Sequence, residues 1–181
     1  PGGATAETAE NAPGLLWVTT VFAALLGLNR ALAAELENDA LGGLALAPVD
    51  RGWIFAGKAA STFVLLAFIQ ILAAIAFAAV FQADWWGHAP QLAGVFALGG
   101  VGICSIGTLL SAMAVRTRFR ELVLPVLLLP TLVPLLGAAV HATVSILENE
   151  GIPFSALQLL LVCDGVYLIV SFLGFEFVLD E

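Results

Sequence analysis

The 181 residues are 61% hydrophobic and 11% charged, with a net charge of −8 and a mean hydropathy of +1.04. A soluble domain of this length needs far more polar surface, so the composition excludes one and requires an integral membrane protein. The acidic balance excludes nucleic acid and a polybasic lipid-binding surface.

Residues 1–13 are small, polar and Glu-containing, and carry neither the basic n-region of a signal peptide nor a lipidation motif. The chain is therefore expected to begin inside a loop, as a fragment. Five apolar runs follow, near 13–33, 59–82, 92–115, 122–146 and 156–179. Each reaches the roughly 20 residues that a helix needs to cross a hydrocarbon core. Unpaired backbone groups are costly in lipid, so these runs must be helical. The expected fold is an all-α, polytopic transmembrane bundle with 1–181 as one domain.

All six basic residues fall in two groups, Arg30, Arg51 and Lys58, then Arg116, Arg118 and Arg120. With five alternating spans, both groups lie on one side, which the positive-inside rule makes cytosolic. The start of the chain is then outside and Asp180-Glu181 inside, in a multi-pass protein of the cell membrane.

The longest polar interlude, 34–58, follows the first run. On a helix, Leu36, Ala40, Leu41 and Leu44 share one face, Glu35 and Asp39 share another, and Pro48 ends it. Its acidic face gains little from an anionic leaflet and suits the groove of a soluble partner. Glu35, Leu36, Glu37, Asp39, Leu41, Leu44, Pro48, Asp50 and Arg51 are the candidate coupling residues, with Arg116, Arg118 and Arg120 as a second cytosolic contact. The alternative is a solvated linker helix at the interface. Gly52-Trp53-Ile54-Phe55-Ala56-Gly57-Lys58-Ala59 nearly matches a phosphate-binding loop. It is rejected, because Ala59 replaces the magnesium-binding hydroxyl, the interior is bulky, and no strand precedes it. Any ATP belongs to another chain.

Trp85 and Trp86 in the outer loop read as an aromatic belt, and Trp53 as an inner anchor. His88 and His141 are not the paired histidines that a stable heme site needs. The third span is rich in Gly99, Gly100, Gly102, Gly107 and Ser111, which let another helix approach closely. Pro125, Pro130 and Pro134 predict a kinked or broken fourth span. Asp164 is the acid clearly inside a span and defaults to a functional hypothesis, with pairing to Ser, Thr or His as the alternative. Glu176 is expected at the inner interface. Cys104 and Cys163 read as buried small hydrophobes. No catalytic or metal-ligating set emerges, so the chain is expected not to be an enzyme and to bind no cofactor itself.

Three stretches resemble one family. They are Pro13-Gly14-Leu15-Leu16-Trp17-Val18 with Leu28-Asn29-Arg30, then Asp39 through Arg51 with Gly57-Lys58, then Leu124-Pro125 through Leu129-Pro130-Thr131-Leu132-Val133-Pro134. Ser105-Ile106-Gly107-Thr108 through Arg116 also fits. Together they resemble the cytochrome c maturation permease family, heme exporter protein B or CcmB, in order over nearly the whole chain. Where that family carries an Asp-Gly pair and a Glu, this sequence has Asn38-Asp39 and Gly42. The resemblance implies an ABC-2-like permease of six spans, with the first missing here, in a homodimer beside a cytosolic ATPase subunit. It implies as further partners a heme-handling membrane protein and a heme chaperone, with ATP hydrolysis releasing the loaded chaperone. Heme is a candidate cargo, with direct translocation and force transmission both open. The rival readings are an exporter of another amphipathic substrate and a non-transporting scaffold.

Overall fold

The computed structural model describes residues 11–37, 51–81, 87–114 and 120–180. Five helices account for nearly all of them: α1 (Ala12–Glu37), α2 (Arg51–Phe81), α3 (Ala89–Ala114), α4 (Arg120–Leu147) and α5 (Phe154–Asp180). Each is long and apolar enough to cross a membrane, and no strand occurs among the described residues.

α2 begins at Arg51, earlier than the expected start near 59. The reason is a continuous buried stripe at Phe55, Thr62, Leu66 and Gln70, whose spacing of seven and four is one helical face. The hydroxyls of Ser61 and Thr62 both donate to the carbonyl of Lys58, inside the helix. α1 likewise runs on to Glu37. The interlude expected over 34–58 therefore shrinks to 38–50, which lies outside the described residues. The near-match to a phosphate loop, 52–59, is helical throughout, as its rejection requires.

α3 packs against all four other helices, which close a ring around it in the order α1, α2, α5, α4. Its glycines make this possible. A Cβ at Gly99 would meet Trp17 of α1, one at Gly100 would meet Phe63 of α2, and one at Gly107 would meet Leu28 of α1. At Gly102 it would meet Asp164 of α5 and Leu135 of α4. Small residues admit this approach because van der Waals packing, not water exclusion, holds helices together in lipid. These contacts also set the directions. Trp17 lies at Gly99 and Leu28 at Gly107, so α1 runs parallel to α3. Asp164 at Gly102 and Gly174 at Leu109 make α5 parallel as well. α2 and α4 run the opposite way. The C-termini of α1, α3 and α5 and the N-termini of α2 and α4 thus share one end of the bundle.

α4 is continuous through Pro125, Pro130 and Pro134, so of the two expected outcomes, a kink or a break, the break does not occur. Proline deprives the carbonyl four residues earlier of its donor, and lipid offers no water to replace it. Neighbouring hydroxyls reinforce the same stretch. Thr131 Oγ1 donates to the carbonyl of Leu127 at 2.8 Å, and the Tyr167 hydroxyl of α5 donates to the carbonyl of Thr131.

Candidate functional site

Three features stand out from the packed bundle. The first is a cleft of about 630 Å³ between α2 and α5, with α3 as its floor. Phe55 and Phe63 of α2 and Phe172 of α5 frame it, and Ala56, Ala59 and Ala60 leave the space between them. Cys104 and Ser105 of α3 lie at its base. The Ser105 hydroxyl is already committed to the carbonyl of Val101 at 2.7 Å. The lining is thus almost wholly apolar and suits an apolar ligand more than an ionic one. Neither histidine lines it.

The second feature is Asp164. It is 5% exposed, and both carboxylate oxygens lack a hydrogen-bond partner among the described residues. Pairing with Ser, Thr or His, the structural alternative, is not realised among the described residues. The helix is regular through Asp164 and Gly165. The hydroxyls of Thr108 and Ser171 and the amide nitrogen of Gln70 are also buried without a partner among the described residues.

The third feature is a link at the opposite end from the shared termini of α2 and α4. α4 ends in a Schellman motif, with Asn149 N–H donating to the carbonyl of Ile146 at 3.1 Å and Glu150 N–H to that of Ser145 at 2.9 Å. Asn149 holds the left-handed conformation this requires, at φ 64°. Its Oδ1 lies 3.1 Å from His88 Nε2. The carbonyl of His88 accepts from Leu92 N–H at 3.0 Å, so this residue also caps the start of α3. Pro90 then falls in the first turn, where no donor is needed.

The expected coupling residues are only partly placed. Asp39, Leu41, Leu44, Pro48, Asp50, Arg116 and Arg118 lie outside the described residues, as do Trp85 and Trp86. The backbone puts Glu35, Leu36 and Glu37 in the last turn of α1, Arg51 at the start of α2, and Arg120 at the start of α4. All five positions belong to the one shared end. Trp53 is exposed near the start of α2, and His141 is exposed on α4. Cys104 and Cys163 are free and buried, as expected. No group of three His, Cys, Asp or Glu that could hold a metal occurs among the described residues. The cleft escaped the sequence reading. Its one trace in the sequence is the set of small residues Ala56, Ala59 and Ala60 between Phe55 and Phe63, where a helix should fill its contacts.

Such a bundle, five spanning helices with a glycine-rich helix at the centre, defines a multi-pass membrane protein. The chain belongs to the CcmB family, whose description, CcmB protein, matches residues 2–176. It is 32% identical over 132 residues to heme exporter protein B of Rhodobacter capsulatus, covering 71% of this chain and 58% of that protein. It is 31% identical over 125 residues to heme exporter protein B of Paracoccus denitrificans, covering 69% and 57%. The chain thus matches less than two thirds of the length of these relatives. No solved structure matches it.

Proposed function

We propose that this chain is a non-catalytic membrane subunit of a heme-export complex serving cytochrome c maturation. In this reading the cytosolic end is the one that gathers the ends of α1, α2 and α4, and there it receives the stroke of a separate ATPase subunit. Heme is the cargo or the group carried by a released chaperone, and two copies of the permease stand side by side. The observation that carries the reading is the family match over residues 2–176, laid on a five-helix bundle. Relatives named heme exporter protein B point to heme. The absence of a phosphate-binding loop at 52–59, where a helix runs instead, supports placing ATP on a partner.

The test is co-expression of the full protein with the candidate ATPase subunit and a pull-down in detergent. Co-purification that survives in the parent chain and is lost in Leu41→Asp supports an energised permease docked through the segment after α1. Failure to co-purify favours the scaffold. Cytochrome c maturation that persists after deletion of this protein transfers the reading to another amphipathic substrate.

A further inference from the structure

Asp164 sits in the middle of the span Phe154–Phe175, about 15 Å from either end at a helical rise of ~1.5 Å per residue. Its carboxyl is pressed against α3, where a Cβ on Gly102 would lie 2.5 Å from Oδ1 and 2.9 Å from both methyls of Leu135. Three helices therefore enclose the group, and neither oxygen has a hydrogen-bond partner among the described residues. An ionised carboxylate here, enclosed by three helices, would have no counter-charge among the described residues, a state that apolar surroundings oppose strongly. No cation lies beside it among the described residues. The titratable groups flanking it on α5 are Cys163 and Tyr167, and Tyr167 spends its hydroxyl on the carbonyl of Thr131. α3 contributes Cys104, which opens toward the cleft. α4 offers within its span only His141, which is exposed, and α2 offers Lys58 near its N-terminal end. A hydrated metal or organic cation would have to displace the backbone contact at Gly102. The proton is the one cationic ligand that needs no such room.

We infer that Asp164 is a proton-binding site of the bundle, occupied while α3 and α5 are packed together. Binding is a simple transfer. The carboxylate takes a proton from hydronium, leaving a neutral carboxylic acid and a water molecule. Loss of the proton puts charge into the seam and favours entry of water between α3 and α5. Ser171 lies two turns further along the same face of α5, between the level of the Asp164–Gly102 contact and that of the Gly174–Leu109 contact. Its partnerless hydroxyl would meet such water first, so protonation at Asp164 reports whether the seam is closed. The inference stands independently of what the protein exports.

Infrared spectroscopy of the purified protein in an ester-free detergent at neutral pH tests this. A protonated carboxylic acid has its own C=O stretching band, separate from carboxylate bands. The band should be present in the parent protein and missing in the isosteric Asp164→Asn variant, which needs no proton. A second measurement uses the parent protein alone. Dicyclohexylcarbodiimide, which reacts with protonated carboxyls in apolar surroundings, should form an adduct on the peptide containing Asp164, and a water-soluble carbodiimide should not. A protein with no protonated-acid band, or with an identical band in Asp164→Asn and no adduct on Asp164, overturns the inference.

Discussion

Trp17 on α1 donates its indole N–H to Thr143 Oγ1 on α4 at 3.1 Å, while its ring lies across Gly99 of α3. One side chain therefore ties three helices together. Phe96 of α3 completes the arrangement, edge-on to the indole at a centroid distance of 5.7 Å. Thr143→Val keeps the volume and removes the acceptor, leaving a buried N–H unpaired. Hydrogen bonds between membrane helices average about 0.6 kcal/mol, and an orphaned buried donor costs about 1–3 kcal/mol. The variant should lose roughly 1 kcal/mol, read from unfolding in mixed micelles against the parent.

Gly99→Ala should cost more. Its Cβ would lie 2.3 Å from Trp17 Cη2, and the indole cannot swing away without breaking the bond to Thr143. Overpacking of this kind costs about 1–3 kcal/mol. The same unfolding assay should show Gly137→Ala, where a Cβ meets nothing within 4 Å, as nearly neutral. Equal losses at the two glycines would contradict the close contact.

Asn149 has two separable jobs, the left-handed cap of α4 and the contact with His88. Asn149→Gly keeps the first and loses the second, whereas Asn149→Ala strains the first and also loses the second. The left-handed conformation costs a residue with a Cβ roughly 1–2 kcal/mol. Thermal unfolding should therefore rank the parent first, Gly next and Ala last. An Ala variant as stable as Gly would remove the cap from the account.

Tyr167→Phe deletes the hydroxyl that reaches the carbonyl of Thr131, in the proline-rich part of α4. The carbonyl keeps its second lone pair for the helix, so the loss should be about 1 kcal/mol or less. Amide hydrogen exchange should rise around Thr131 and Leu135 rather than across the bundle. Uniform acceleration would mean that the contact supports global packing instead.

Much of this architecture was legible because a bilayer imposes its thickness on every span, so apolar runs mark helices before packing is known. The glycines of α3 announced close approach, and they deliver it. What they could not announce was the identity of the neighbours, since Gly102 meets Asp164 and Leu135 from segments far along the chain. The start of α2 was misjudged for a related reason. Lys58 looked like the edge of a loop, but Phe55 had already begun the buried stripe. The alanines of the cleft could not be read as such because α2 and α5 are apolar all round, and periodicity alone cannot tell a lipid-facing alanine from one that lines a space. The coupling segment lies outside the described residues from 38 to 50, so the sequence remains its sole source.

The ring of four helices around α3 also bears on how the gene can drift. α1 and α3, the two spans with the lowest mean hydropathy, are the two most enclosed, while α2 is the most apolar and the most exposed. Lipid asks of α2 only that it stay greasy, so most of its positions can trade one aliphatic residue for another. α3 answers to four neighbours at once, and each substitution there must be acceptable to whichever of them it faces. Mutational libraries should therefore find α2 permissive and α3 nearly frozen, with Gly99, Gly102 and Gly107 as the positions where even a methyl group is too much.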